Sequence, residues 1–164
     1  MKRYLFLILI FMVIKAHAFQ NEFSGKVVNV IDGNTFEVIG TDNEPQRITL
    51  AGIDCPELTQ DYGDKAKKLL EKLILNKEVS VSLSGKDRWG NYIGVIRIVK
   101  NNQDPRLKLL EEGLAWTAER NPIPELESLR LEAKNKGDGL WQDPNAIAPW
   151  IYRRQQTMMQ AKSS

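Results

Sequence analysis

Two acidic side chains follow an apolar run in the segment LAGIDCPEL, residues 50–58. Asp54 and Glu57 stand three positions apart, where a short β-strand would end. Carboxylate oxygens are the ligands that hard divalent cations prefer, and a carboxylate also takes a proton from an attacking water. A solvated turn uses the same residue types. The spacing therefore leaves three interpretations open: a metal site, an acid–base pair or a turn.

Histidine and cysteine content limits the chemistry near these acids. The single histidine, His17, lies in an N-terminal segment that we expect to be removed. The remaining chain would have no imidazole, which excludes a histidine-based catalytic triad and the commonest zinc sites. Cys55 is the only cysteine, so no disulfide can form within the chain. We interpret it as a small side chain in a partly buried slot rather than as a reactive thiol.

The N-terminal segment, residues 1–18, has the layout of a secretory signal peptide. Basic residues come first, an apolar stretch covers residues 4–14, and Ala16-His17-Ala18 forms a small-x-small cleavage site. The apolar stretch is shorter than the roughly 18 residues that a membrane-spanning helix needs, and an uncleaved anchor is the alternative. We therefore expect export to the periplasm or the medium, with no transmembrane span after cleavage.

The mature chain that would follow, residues 19–164, suits one domain with one core. Cleavage would remove three of the 23 basic residues, so that 20 would stand against 21 acidic residues, a net charge of −1 instead of +2. This balance lacks the positive excess that is typical of nucleic-acid-binding domains. The alternative is a local basic patch formed by Lys65, Lys67, Lys68, Lys72, Lys86 and Arg88. We assign residues 19–154 to the domain and residues 155–164 to a C-terminal tail.

Hydrophobic periodicity predicts strands, an inserted helix and C-terminal helices. Apolar and polar residues alternate in the strands, and Asp32-Gly33-Asn34 suits a tight turn between the first two. An amphipathic pattern marks the inserted helix, whose lysines we interpret as a solvated face. These elements predict a five-stranded OB-type β-barrel with helices, an α+β fold. The predicted strands are 23–30, 35–39, 47–53, 78–83 and 92–99, and the predicted helices are 62–75, 107–112 and 124–136.

Large apolar residues and prolines recur in the C-terminal region. We interpret them as anchors that pin this segment across the body of the domain. The alternative is stacking on nucleic-acid bases, because Arg153 and Arg154 follow the aromatic residues. The anchors are Trp141, Pro144, Pro149, Trp150 and Tyr152.

Five motifs occur in one order along the chain: VIDGNTFEV, LAGIDCPE, DRWGNYIGVI, EEGLAW and GLWQDPN. Each is weak evidence alone, but the collinear set resembles the staphylococcal-nuclease-like (thermonuclease) family from about residue 25 to residue 154. The resemblance implies a secreted bacterial OB-fold protein that cuts DNA and RNA with the help of Ca²⁺. In that chemistry a cation neutralises the phosphodiester, a carboxylate activates water, and two arginines grip the phosphate.

The resemblance implies roles for three residues of the LAGIDCPEL segment. Asp54 matches a metal-binding aspartate, Cys55 matches a residue whose backbone carbonyl binds the metal, and Glu57 matches the general base. The family's second metal-binding aspartate is replaced by Asn34, which keeps an oxygen donor but loses the charge. We expect a weakened Ca²⁺ site, because hard cations depend on ligand charge.

Both phosphate-gripping arginines of the family are replaced in this chain. Thr49 stands at the first position and Asn91 at the second. Arg47 lies on the same strand face as Thr49, about 6.6 Å away along the strand, and is the alternative phosphate contact. Arg88 and Trp89 match neighbouring basic and aromatic positions, which contact the phosphate end and the nucleotide in the family.

These replacements predict a severe loss of catalysis by the family mechanism. Removal of one preorganised donor to a charged transition state costs about 3 kcal/mol, or roughly 10²-fold in rate. Glu119 aligns near a substrate-contacting tyrosine of the family and adds negative charge where the anion would approach. We therefore predict an exported protein that is impaired or inactive as a nuclease and acts as a binding module for nucleic acid, another oligomeric ligand or a protein.

Two other functions stay open at the level of the sequence. One is an active Ca²⁺-dependent endonuclease whose phosphate clamp is rearranged around Arg47 and Arg88. The other is a structural subunit of an envelope complex, in which a protein partner covers the cleft. A structural role for Asp54 also fits, with its carboxylate accepting hydrogen bonds from amides of the turn at residues 32–34.

Overall fold

The computed structural model of the chain describes residues 21–87 and 89–163. The predicted signal peptide, residues 1–18, and Arg88 lie outside these described residues. Within the described part, no helix combines the length and the apolar character that crossing a membrane requires.

The central feature is a closed β-barrel of five strands, as the sequence predicts. The strands in chain order are β1 (Glu22–Val30), β2 (Thr35–Ile39), β3 (Pro45–Leu50), β4 (Ile53–Asp54), β5 (Glu78–Lys86), β6 (Tyr92–Ile98) and β7 (Trp116–Thr117). Four antiparallel pairings and one parallel pairing, between β3 and β6, close the barrel in the order β1-β2-β3-β6-β5. The short strands β4 and β7 pair with each other in a separate sheet.

The barrel interior is filled by alternate residues of its strands, because successive side chains point to opposite faces. Most of these residues are β-branched, which suits a pleated surface. Helix α1 (Gly63–Ile74) adds its apolar face to the same core, while its lysines lie on the outer side. The buried side chains are Val27, Phe36, Val38, Ile48, Val79, Val81 and Ile96 from the barrel and Ala66, Leu70 and Ile74 from α1.

The predicted strand at residues 47–53 is wrong at its end, because the structure divides it in two. Strand β3 ends at Leu50, and Gly52 adopts a left-handed backbone with φ of +80°. The Ala51 carbonyl accepts a hydrogen bond of 2.8 Å from Nη1 of Arg106, which holds this bend. After the bend, Asp54 lies opposite Trp116 of β7 rather than in the barrel.

In the described part of the chain, three further α-helices follow the barrel, with a short 3₁₀ helix (Gly139–Gln142) between the last two. Local sequence signals explain where two of these α-helices begin and end. Helix α2 (Pro105–Glu111) is capped by the Asp104 carboxylate, which accepts a hydrogen bond from the Arg106 backbone N–H. Helix α3 (Pro124–Lys136) starts with proline and ends at Gly137, whose φ is 73°. The third helix, α4 (Pro149–Ser163), is not predicted by the sequence analysis and continues through the segment assigned to a tail.

Tryptophan contacts dock the C-terminal region on the body of the domain, as predicted, but Pro144, one of the predicted anchors, is exposed. The Trp116 ring contacts Trp141 edge-on at a centroid distance of 4.4 Å and Trp150 at 5.7 Å. Trp141 is buried, and so are Ala148 and Pro149 at the start of α4. These contacts fix the first turn of α4 beside β7.

Candidate functional site

A cleft of about 550 Å³ lies where the β1–β2 turn, the β3–β4 segment, the β5–β6 turn and α4 meet. Ala118 and Glu119, which follow β7, complete its wall. Every described residue that the sequence predicted for the site lines this cleft: Asn34, Arg47, Thr49, Asp54, Cys55, Glu57, Trp89 and Asn91. The position of Arg88 lies outside the described residues.

One hydrogen bond closes the β1–β2 turn, and two more tie the turn to the segment that follows β4. The Asp32 carboxylate accepts a hydrogen bond of 2.9 Å from the Asn34 backbone N–H. Oδ1 of Asn34 accepts one of 3.0 Å from the Cys55 backbone N–H, and the Cys55 thiol donates to the Gly33 carbonyl at 3.2 Å. The sequence predicts that the Asp54 carboxylate accepts hydrogen bonds from amides of the turn. The structure instead joins the two segments through the Asn34 side chain, which accepts from the Cys55 backbone N–H.

Cys55 occupies a fully packed slot, in agreement with its interpretation as a small buried residue. Its side chain is 2% exposed, and burial raises the pKa of its thiol. A Cβ at Gly33 would lie 2.6 Å from the Cβ of Cys55, so the turn needs glycine to approach this closely. The Cys55 thiol thus fills a packed slot, and the backbone N–H of Cys55 donates its hydrogen bond to Asn34.

The two acids of the LAGIDCPEL segment share one guanidinium, that of Arg153 in α4. Nη2 of Arg153 lies 2.7 Å from Oδ2 of Asp54, and Nη1 lies 3.2 Å from Oδ1 of the same carboxylate. The same Nη1 also donates to Oε1 of Glu57 at 2.7 Å. One cation therefore bridges both carboxylates.

Burial and charge act on this cluster in opposite directions. Burial is the main influence on Asp54 and raises the pKa of its carboxyl, while the Arg153 guanidinium opposes that rise. Hydrogen bonds to Asp54 raise the pKa of Arg153 above its ordinary value. Arg153 thus remains a cation in the folded protein. The negative charge around it depends on the ionisation of the carboxylates that it contacts.

Local contacts hold the two sides of this bridge in place. The Glu57 backbone N–H donates to Oε1 of Gln60 at 2.9 Å, and Nε2 of Gln60 donates to the Ile147 carbonyl just before α4. The Tyr152 hydroxyl contacts Oγ1 of Thr59 at 3.0 Å. The loop that carries Glu57 and the helix that carries Arg153 are therefore joined at several points.

Thr49 and Asn91, which the resemblance matches to phosphate-gripping arginines, are neutral side chains in the cleft wall. Thr49 lies on β3, and Asn91 is held by the Asp87 carboxylate, which accepts from its backbone N–H at 2.9 Å and its Nδ2 at 2.8 Å. Arg47 is the alternative phosphate contact, and its Nη2 lies 3.2 Å from Oε1 of Glu37 on the neighbouring strand. The Trp89 side chain is 67% exposed.

Negative charge dominates the described lining of the cleft. Its two arginines, Arg47 and Arg153, are both paired with carboxylates. Glu119 is paired with Arg154, a neighbour of the cleft rather than part of its lining. The five acids that line it are Asp32, Asp54, Glu57, Asp87 and Glu119.

The Ca²⁺ that the resemblance implies does not fit this arrangement. Both oxygens of Asp54 and one oxygen of Glu57 accept hydrogen bonds from Arg153, and Oδ1 of Asn34 accepts from a backbone amide. Among residues 21–87 and 89–163, no three side chains of His, Cys, Asp or Glu converge as a metal-binding group. An ion at Asp54 would also meet the positive charge of Arg153. As arranged, the carboxylates bind a guanidinium.

The role of Arg153 is the main feature that the sequence analysis missed. The sequence marks Arg153 only as a neighbour of aromatic residues, because nothing in its local sequence distinguishes it from Arg154. Its partners Asp54 and Glu57 lie 99 and 96 positions away. A signal for this contact exists only in the fold, which brings α4 against β4.

Residues 47–143 match the family described as "Staphylococcal nuclease homologue". The chain is 34% identical over 144 residues to Protein ParB of Escherichia coli, an alignment that covers 82% of this chain and 81% of that protein. It is 34% identical over 156 residues to an "Uncharacterized endonuclease" of Haemophilus influenzae, covering 94% and 86%. It is 33% identical over 143 residues to the "Micrococcal nuclease" of Shigella flexneri, covering 81% and 82%.

Proposed function

The chain belongs to the staphylococcal nuclease family, and from this premise we propose that it is an exported member that binds a ligand in its cleft instead of hydrolysing nucleic acid. The observation that carries this proposal is the state of the cleft arginines. Both of them, Arg47 and Arg153, are bound to carboxylates of the protein itself. Within the described lining, a phosphate would have to compete with these carboxylates for either arginine.

The size of the missing interactions supports impaired catalysis. A phosphodiester accumulates negative charge on its oxygens in the transition state, and preorganised donors stabilise that charge. Thr49 and Asn91 replace two guanidinium groups, and each lost donor costs about 3 kcal/mol. Losses of this kind are not additive, but together they lower the rate by several orders of magnitude.

The charge of the cleft favours a cationic ligand over nucleic acid. The described lining has five acids and two arginines, so a phosphate backbone entering it would meet net negative charge. Trp89 and Trp150 line the same cleft, and aromatic rings attract cations. We propose a peptide or protein segment that carries lysine or arginine as the ligand.

A digestion assay tests the catalytic part of the proposal. The purified protein is incubated with plasmid DNA and with RNA, in millimolar Ca²⁺ or with a chelator, beside its Glu57→Gln variant. We expect both proteins to leave the substrates intact under both conditions. Cleavage that requires Ca²⁺ and disappears in Glu57→Gln would overturn the proposal.

A binding assay tests the ligand class. Fluorescence anisotropy is followed for a labelled peptide rich in lysine and arginine and for a single-stranded oligonucleotide. We expect the peptide to bind more tightly, and Trp89→Ala to weaken that binding more than Val99→Ala, a change at an exposed residue outside the cleft lining. Tighter binding of the oligonucleotide, weakened by the same Trp89→Ala change, would identify nucleic acid as the ligand instead.

An active endonuclease is the second candidate, and two observations favour it. Relatives that share about a third of their residues with this chain carry the names endonuclease and nuclease. Asp54 and Glu57, at the family's metal and base positions, lie in one cleft with Arg47 as a cation. This reading needs Arg153 to leave the carboxylates and Arg47 to leave Glu37. The digestion assay above separates the two functions.

Export is part of the proposal and rests on the N-terminal sequence. Basic residues, an apolar stretch and a small-x-small site are arranged as in a secretory signal. Mass spectrometry of the protein recovered from periplasm or medium should show an N-terminus at Phe19. A cell-associated protein that begins at Met1 would contradict export by this route.

A further inference from the structure

We propose that Arg153 is an internal cation that takes the place of a metal ion between Asp54 and Glu57, so that α4 keeps divalent cations out of the cleft. The proposal concerns this chain's own residues. It holds whether or not the cleft binds a peptide, and therefore does not rest on the proposed ligand.

The geometry of the bridge uses the oxygens that a cation would need. The planar guanidinium contacts both oxygens of Asp54, at 2.7 and 3.2 Å, which is the fork-to-fork pairing of the strongest charge-assisted hydrogen bonds. Its Nη1 also contacts Oε1 of Glu57 at 2.7 Å. A divalent ion bound to the same two carboxylates would have to displace all three contacts.

The charge balance favours the guanidinium over a dication. Asp54 and Glu57, the two carboxylates that contact the guanidinium, carry two negative charges, and in the β1–β2 turn Oδ1 of Asp32 and Oδ1 of Asn34 already accept hydrogen bonds from backbone N–H groups. Hard cations are bound through several oxygen ligands and the charge that they bring. Arginine needs only the two carboxylates, because its five N–H donors have fixed directions.

Helix α4 presents Arg153 from a well-anchored first turn. Ala148 and Pro149 are buried, the Trp150 ring packs edge-on against Trp116, and the Tyr152 hydroxyl contacts Thr59. A group attached to its own chain at short range has an effective concentration of about millimolar or more. Weak Ca²⁺ sites bind at about 10⁻⁴–10⁻³ M, and an ion at such a site would have to displace a guanidinium that is permanently attached to the chain.

The bridge is also accessible enough to be opened by a single substitution. The side chain of Arg153 is 38% exposed, Asp54 is 20% exposed and Glu57 is 37% exposed. Removal of the guanidinium would leave two carboxylates facing each other at the cleft wall, with solvent within reach. Two such carboxylates form a weak site for a divalent or trivalent cation.

Terbium luminescence tests this inference without any measurement of catalysis. Tb³⁺ binds at Ca²⁺ sites and is excited through nearby tryptophans, and Trp89 and Trp150 both line the cleft. Tb³⁺ and then competing Ca²⁺ are titrated into the wild-type protein, Arg153→Gln and Arg154→Gln. The last variant is the matched control, because it removes the neighbouring arginine and the same charge but leaves the bridge intact.

We expect Arg153→Gln to bind Tb³⁺ at a half-saturating concentration at least tenfold lower than the wild-type protein and Arg154→Gln. Adding Asp54→Asn to Arg153→Gln should abolish that gain. Equal titrations of all three proteins, or a gain that survives Asp54→Asn, would overturn the proposal. Circular dichroism and thermal melting establish that each variant is folded.

Arg153→Lys provides a second variant in case Arg153→Gln does not fold. Lysine keeps the positive charge but lacks the planar fork, so it cannot contact both Asp54 oxygens and Glu57 in the same way. We expect its half-saturating Tb³⁺ concentration to be lower than that of the wild-type protein and higher than that of Arg153→Gln. A value equal to that of the wild-type protein would contradict a role for the fork geometry.

Discussion

The Arg153 guanidinium donates two hydrogen bonds to the Asp54 carboxylate, between residues 99 positions apart in the chain. The contact joins the first turns of α4 to β4, a strand that lies outside the barrel. The contact therefore holds α4 against β4 and also sets the charge of the cleft wall. Removal of either partner leaves a partly buried charge of the other sign.

A double-mutant cycle on Asp54→Asn and Arg153→Gln should measure this coupling. Arg153→Gln should lower the stability more when residue 54 is aspartate than when it is asparagine, with a coupling energy of about 1 kcal/mol. The value is modest because Arg153 is 38% exposed. Urea unfolding measures it. The more exposed Arg154–Glu119 pair serves as control and should show a smaller coupling. Strictly additive effects at Asp54 and Arg153 would show that the bridge does not stabilise the fold.

Gly63→Ala should destabilise the loop that carries Glu57. A Cβ at residue 63 would lie 2.0 Å from the Glu57 backbone oxygen, a distance that forces the backbone to move. We expect a loss of about 2 kcal/mol in the free energy of unfolding. Gly85→Ala is the matched control, because its Cβ would have no heavy atom within 4 Å. The expectation fails if thermal melting gives the same midpoint for both variants.

Asp104→Asn should strongly destabilise the protein. The Asp104 and Arg106 side chains are 2% and 9% exposed, and Arg106 also holds the Ala51 carbonyl at the β3–β4 bend. Asparagine still caps α2, so the main effect is a buried guanidinium without its counter-charge, at a cost of about 3 kcal/mol. Urea unfolding measures the loss. Lys108→Gln, which removes a solvent-exposed pair with Glu112 on the same helix, should leave the transition unchanged.

Glu127→Gln should lower stability at neutral pH but not in acid. The Glu127 carboxylate accepts hydrogen bonds from Arg130, chiefly, and from Thr117, and these bonds lower its pKa. A depressed pKa contributes stability above the ordinary glutamate value of about 4.3, and this contribution is lost as the pH falls towards the folded-state pKa. We expect a deficit of about 1 kcal/mol at pH 7 that shrinks towards pH 3.

Urea unfolding of Glu127→Gln and the wild-type protein at both pH values provides the measurement. Glu132→Gln on the exposed side of the same helix is the control, since its pair with Lys136 is fully solvated and should contribute little at either pH. A deficit of the same size at pH 3 and pH 7 would show that the Glu127 charge is not the stabilising element.

The elements that could be predicted from the sequence are those whose pattern is local. Alternation along the strands and the apolar face of α1 predict the barrel and its helix, because burial of one face imposes the period. The break in the strand at residues 47–53 could not be predicted in this way. It depends on Arg106, which lies 55 positions from the carbonyl that it holds.

The candidate site also combines features that local sequence motifs predict with a contact between distant residues that they do not predict. The order of the motifs predicts that Asn34, Asp54 and Glu57 belong to one site, and all three line the same cleft. The sequence did not reveal the partner of the two acids, because an arginine at the start of α4 has no signature of its own. Beyond Arg154, α4 is mostly polar and exposed, with Met158 and Met159 each 63% exposed, so no apolar stripe predicted the helix.

Closure of the barrel through β3 and β6 has a consequence for how quickly the protein folds. Parallel neighbours cannot be joined by a tight hairpin, and the register sets Ile48 opposite Tyr92. Everything between them, including α1 and β5, must be roughly in place before this seam can form. Such distant pairings carry a large loop-closure entropy and raise the contact order, which slows folding. We therefore expect the seam to form late, with the β1–β2–β3 meander assembling first.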